Sequence, residues 1–122
     1  MKTVAIIGAS NDRSKYGNKA VRAYARMGYT VFPVNPRESE VEGLPAYPSI
    51  LDVPGSVDRA ALYVPPSVGL ALVEEVAQKG VGELFLNPGS ESPELIARAQ
   101  ELGIPTVEGC AILDIGERPS SF

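Results

Sequence analysis

The chain has no histidine and one cysteine, Cys110. A single thiol excludes an internal disulfide framework, and without histidine the usual tetrahedral zinc sites lack ligands. Long apolar runs are also missing. The stretches around Ala5 to Ile7 and Ala60 to Val64 end within a few residues, far short of the roughly 18 needed to span a membrane. Positive charge is scarce and scattered, with 11 Lys and Arg against 15 Asp and Glu and a net charge of −4. Nucleic-acid surfaces need clustered cations to displace counterions, so that partner class is excluded as well. Met1 and Lys2 run directly into a strand-like segment with no signal-peptide core or cleavage site, which gives the expectation of a cytoplasmic protein.

What is present is 122 residues, 44% hydrophobic and 21% charged, without repeats or biased segments. That size and balance fit one soluble globular domain, taken to run over 1–122. Thr3 to Ile7, closed by Gly8, and Tyr29 to Val34, closed by Asn35 and Pro36, read as buried parallel strands. Between them, Asn18 to Met27 places Ala20, Val21, Tyr24 and Met27 at helical spacing, and Gly28 follows as a stop. The pattern repeats: Val57 to Val64 as a third strand, Pro66 to Lys79 as a helix turning Leu72, Val73 and Val76 inward, and Gly80 ending it. Leu84 to Leu86 is the fourth strand. A helix opening at Ser92 and Pro93 carries Leu95, Ile96, Ala99 and Leu102 on one face, and Pro105 to Val107 is the fifth strand. Alternating strands and helices predict a Rossmann-like, doubly wound parallel sheet of about five strands in a three-layer α/β/α arrangement, with the expected order 3-2-1-4-5. The segment Arg37 to Gly55, carrying Pro45, Pro48 and Pro54, reads as an irregular loop. The tail from Gly109 has no clear period.

In such a sheet, ligands bind beyond the carboxyl ends of the strands where the strand order reverses. The first such loop, Gly8-Ala9-Ser10 through Lys15-Tyr16-Gly17, offers small residues and a helix N-terminus attractive to phosphate. It serves equally as a tight strand-to-helix turn. It lacks G-x-G-x-x-G, and the second strand ends in Asn35-Pro36-Arg37 where an NAD enzyme carries an acid for the ribose diol. Arg37 instead suits an extra ribose phosphate, as in NADP or coenzyme A, or is a solvated residue beside Glu38, Glu40 and Glu42. Pro65 and Pro66, then Asn87, Pro88, Gly89 and Ser90, then Gly109 and Cys110 follow the remaining strands. No strand end carries an evident acid–base pair, a pattern of binding without catalysis.

Val4-Ala5-Ile6-Ile7-Gly8-Ala9-Ser10 and Gly28-Tyr29-Thr30-Val31-Phe32-Pro33-Val34-Asn35-Pro36 resemble the small stand-alone CoA-binding proteins. These are related to the CoA-binding domain of the succinyl-CoA ligase alpha subunit. Gly43, Ala46-Tyr47-Pro48-Ser49-Ile50 and Val57-Asp58 extend the likeness over nearly the whole chain. The resemblance implies that Gly8, Ala9, Ser10 and Gly17, with Tyr16 in the same loop, hold a pyrophosphate. Asn35, Pro36 and Arg37 would take the adenosine and its 3′-phosphate, Pro65 and Pro66 would flank the adenine, and Asn87, Gly89 and Gly109 would line the pantetheine path. The ligases phosphorylate a histidine, which this chain lacks, so a ligand is implied and not that reaction.

Two other classes stay open: an enzyme using NADP or acting on an acyl-CoA through Ser10, Lys15, Tyr16 or Cys110, and an interaction module that has kept the fold and lost the ligand. Cys110 reads as a small buried residue or as a thiol able to form a mixed disulfide with CoA. A homodimer is the default assembly.

Overall fold

The computed structural model describes residues 2–122. Five parallel strands form the main sheet: β1 (Thr3–Ile7), β2 (Thr30–Val34), β5 (Arg59–Leu62), β6 (Glu83–Leu86) and β7 (Thr106–Glu108). β3 (Glu40–Val41) and β4 (Leu44–Pro45) make a separate two-residue hairpin. Helix α1 (Tyr16–Arg26) joins β1 to β2, α2 (Pro66–Lys79) joins β5 to β6, and α3 (Pro93–Glu101) joins β6 to β7. The tail after β7 forms the short helix α4 (Ala111–Asp114) and a 3-10 turn at Pro119–Ser121.

Side-chain alternation along β1 divides the core. Val4 and Ile6 pack with Ala20, Val21 and Tyr24 of α1 and with Ile112 of α4. Ala5 and Ile7 pack with Val73 and Val76 of α2 and Leu95 and Ala99 of α3. Successive strand residues point to opposite faces, so a sheet covered on both sides needs the unbroken apolar strands found here. Local signals delimit the helices. Pro66 supplies the preset φ of a first helical residue, Gly80 closes α2 in the left-handed conformation at φ 76°, and the Ser92 hydroxyl accepts from the Leu95 amide at the start of α3. Met27, expected on the inner face of α1, is 47% exposed because the helix has already ended at Arg26.

The strand order is β2-β1-β5-β6-β7, or 2-1-3-4-5 for the five main strands, not the expected 3-2-1-4-5. The outer edge of β2 is taken by Tyr47, whose amide donates to Pro33 O and whose carbonyl accepts from the Asn35 amide. Prolines at 36, 45 and 48 deny donors to any longer ladder there. The chain then turns through a 3-10 segment at Ile50–Asp52 against α2 and enters the sheet on the other side of β1. The segment 37–55 therefore holds the hairpin and this turn, with no α-helix. No helix among the described residues is long and apolar enough to cross a membrane.

Candidate functional site

With β1 between β2 and β5, the chain leaves the sheet in opposite directions from β1 and β5, and this pair is the switch point at which open α/β sheets hold ligands. The loops after β1 and β5 touch. A Cβ on Gly8 would stand 2.4 Å from Tyr63 O, and one on Gly17 would stand 2.2 Å from Gly8 O. Glycine at 8 and 17 thus lets the first turn of α1, the loop after β1 and the end of β5 pack backbone to backbone.

Two clefts open at this junction and share Gly8 and Val64. The larger, about 830 Å³, runs along the carboxyl ends of β1, β5, β6 and β7 and is lined by Lys15, Tyr16, Gly17, Tyr63, Pro65, Pro66, Asn87, Gly89, Ser90 and Cys110. Leu113 and Pro119 of the tail close its far side. The smaller, about 210 Å³, lies between Pro36 at the end of β2, Pro48 and Ile50, and Val68, Leu72 and Glu75 of α2. The first volume suits an extended organic ligand, whereas the second takes a fragment of one.

Among the described residues, Lys15 is the one charged residue lining the larger cleft, and no acid lines it. No side chain caps the N-termini of α1 or α2, whose first turns line this cleft, whereas α3 is capped by Ser92. Uncapped first-turn amides carry the positive end of the helix dipole and favour an anion. Next to them, the Tyr63 hydroxyl is buried without a partner among the described residues. Burial raises its pKa well above the usual phenol value, with the Cys110 thiol adding to the rise. The phenol stays neutral, a buried donor on a residue that lines the cleft together with Cys110.

Of the residues singled out from sequence, Gly8, Tyr16, Gly17, Pro65, Pro66, Asn87 and Gly89 line the larger cleft and Pro36 the smaller. Ala9 is fully buried, and Ser10, Asn35, Arg37 and Gly109 line neither. The two asparagines act first as braces. Asn35 donates to Ala9 O and accepts from the amides of Arg37 and Glu38. Asn87, 3% exposed, donates to Leu62 O and accepts from the Ala111 amide. Ser10 accepts from the Asp12 amide. The rest of that loop is fastened to the hairpin: Asn11 donates to Glu38, and Arg13 and Asn18 both donate to Glu42. These bonds to neutral and cationic donors, that of Asn18 first, hold the Glu42 carboxyl below its ordinary pKa. The Arg37 guanidinium takes no partner among the described residues. The Tyr16 ring is 58% exposed, with Lys19 Nζ 5.3 Å from its centroid.

Ser90 is expected at a strand end without an assigned role, and Tyr63 and Val64 are expected within the third strand, whereas all three line the larger cleft. The sequence reading missed Leu113, Pro119 and Glu75, which come to the clefts only through the tail and α2.

Comparison with known proteins gives a consistent match. The chain is 34% identical over 116 residues to an ADP-forming acetate–CoA ligase I of Archaeoglobus fulgidus, covering 87% of this chain and 17% of that protein. To the alpha subunit of an ADP-forming acetate–CoA ligase II of Pyrococcus furiosus it is 36% identical over 112 residues, covering 83% of this chain and 24% of the subunit. It thus spans a quarter or less of these curated relatives. Among solved structures, a conserved hypothetical protein of Pyrococcus furiosus superposes with a TM-score of 0.85 at 32% identity, over 93% of this chain and 99% of that one. A family model described as a CoA binding domain matches residues 2–115, and the chain belongs to that CoA-binding domain family.

Proposed function

We propose that this chain binds coenzyme A, free or acylated, across the carboxyl ends of its sheet strands, and that it does so without catalysis of its own. The observation that carries this reading is the junction at Gly8 and Val64, where an apolar slot of about 210 Å³ meets an elongated cleft of about 830 Å³. A CoA molecule has the matching parts: a flat purine, a pyrophosphate at the corner and a long, mostly apolar arm ending in sulfur. The adenine lies in the slot against Pro36 and Val64. The pyrophosphate meets Gly8, Gly17 and the uncapped amides of α1 with Lys15 beside them. The pantetheine arm runs past Asn87 and Gly89 toward Cys110, and past Pro65 and Pro66, which the resemblance assigns to the adenine but which line the larger cleft and not the slot. Arg37, beyond the slot and unpartnered, takes the 3′-phosphate. Asn35 supports this indirectly by fixing the turn that carries Pro36 and Arg37.

Family membership supports the ligand, and the absence of an acid–base pair in the larger cleft supports binding over reaction. The protein then acts as one unit over 1–122 in the cytoplasm, as a homodimer whose presence light scattering reads out. Isothermal titration of nucleotide-free protein with CoA, dephospho-CoA, NADP and NAD in one buffer tests the assignment. CoA binding that weakens when the 3′-phosphate is removed supports it. A preference for NADP redirects the site to reductase chemistry, and no binding of any ligand refutes the reading.

A further inference from the structure

Among the described residues lining the smaller cleft, Glu75 is the only ionisable one, and Ser49 is the only other with a polar side chain. The two are bonded across 26 residues of sequence: Ser49 Oγ donates to Glu75 Oε1 at 2.5 Å. The same Oγ accepts from the Leu51 amide as the cap of the 3-10 turn, so its proton has one direction to go. This fixes the carboxylate on α2 at the edge of an apolar slot. Among the described residues no donor reaches Oε2. Glu75 is half-buried on the lining of a slot that also includes Ile7, Val34, Ile50 and Leu72, and its single bond from Ser49 leaves the other carboxylate oxygen without a protein donor among the described residues.

We propose that Glu75, oriented by Ser49, reads the edge of the ligand's base and selects a purine bearing an exocyclic amine where hypoxanthine carries an oxygen. The inference rests on the CoA-binding reading and specifies which heterocycle the slot accepts. A carboxylate only accepts hydrogen bonds, so an amine at the base edge forms a charge-assisted bond, whereas a carbonyl oxygen there sets lone pairs against a negative charge. The Tyr47-Pro48-Ser49-Ile50 segment thereby has a role beyond covering β2: Pro48 and Ile50 wall the slot and Ser49 aims its one acceptor.

The test is titration of CoA and of its deaminated counterpart, with hypoxanthine for adenine, into wild type, Glu75→Gln, Glu75→Ala and Ser49→Ala. Wild type is expected to prefer CoA by about tenfold, the worth of one hydrogen bond to a charged group. Glu75→Gln, whose amide both donates and accepts, brings the two ligands to within about twofold, and Glu75→Ala erases the preference by weakening CoA alone. Ser49→Ala narrows the preference without abolishing it. A purely structural role weakens both ligands equally and leaves their ratio unchanged in every variant, which overturns the proposal. Wild-type binding of both ligands with equal affinity also overturns it while leaving the CoA reading intact, and binding of neither overturns both.

Discussion

Helix α1 rests on bare backbone: the carbonyl oxygen of Gly8 lies 2.2 Å from where a Cβ on Gly17 would be. The helix that offers its N-terminus to the cleft is therefore held at the shortest distance a peptide chain allows from the loop it faces.

Replacing Gly17 with alanine forces that contact apart and is expected to destabilise the protein by about 1–3 kcal/mol, the usual range for overpacking. A shift in the urea midpoint at unchanged m-value measures it. Gly109→Ala is the control. No atom lies within 4 Å of its Cβ and its φ is not in the left-handed region, so the change stays within about 0.5 kcal/mol.

Asn87 ties β5 and β6 to the start of α4, and Asn87→Ala is expected to cost about 1–3 kcal/mol. The loss falls on the Ala111 amide, left buried without its acceptor, because Leu62 O retains the Ser90 hydroxyl. Urea denaturation of the variant reads it out. A change under about 0.5 kcal/mol would mean that water replaces the side chain.

Tyr24 is buried, donating to Ala111 O at 2.7 Å and accepting from Arg59 at 3.1 Å. Burial pushes its pKa up to about 12, the hydrogen bond from Arg59 opposing the rise. An unfolded tyrosine ionises near pH 10, so the unfolded chain loses this proton first. The stabilisation is whole below pH 10 and is lost as pH rises toward 12, at up to about 1.4 kcal/mol per pH unit. Tyr24→Phe flattens that alkaline loss, and the slope that remains reflects Tyr63, whose pKa is also raised. Stability measured between pH 9 and 11.5 in both proteins checks this.

Arg37→Ala is expected to lower CoA affinity about tenfold and leave dephospho-CoA affinity unchanged, the loss of one charge-assisted contact to a phosphate. Lys15→Ala is expected to weaken both ligands alike, since its proposed contact is the pyrophosphate common to them. Titrations at two salt concentrations separate these contacts from general electrostatic attraction.

The local signals in the chain proved dependable where one stretch carries both the period and its punctuation. Helix α2 runs over Pro66–Lys79 as its proline, its period and Gly80 imply. The first strand and the loop after it fall where the apolar run and Gly8 place them. The order of the strands was misread because it depends on competition for the edge of β2. Tyr47 wins that competition through two hydrogen bonds to residues 12 and 14 positions away. Asn35 and Asn87 were legible as strand-end residues but not as braces, because their partners, Ala9, Leu62 and Ala111, lie on other segments.

The sequence alone determined the alternation of strands and helices, the covering of both sheet faces and the set of loops at the carboxyl ends of the strands. Each follows from propensity, period and turn chemistry within about fifteen residues. Only the tertiary structure decided which side of β1 receives β5, that the loops after those two strands join their clefts at Gly8 and Val64, and that Ser49 reaches Glu75. Those contacts bring together residues far apart in the chain, and packing selects them by excluding the alternatives, a choice that no local segment encodes.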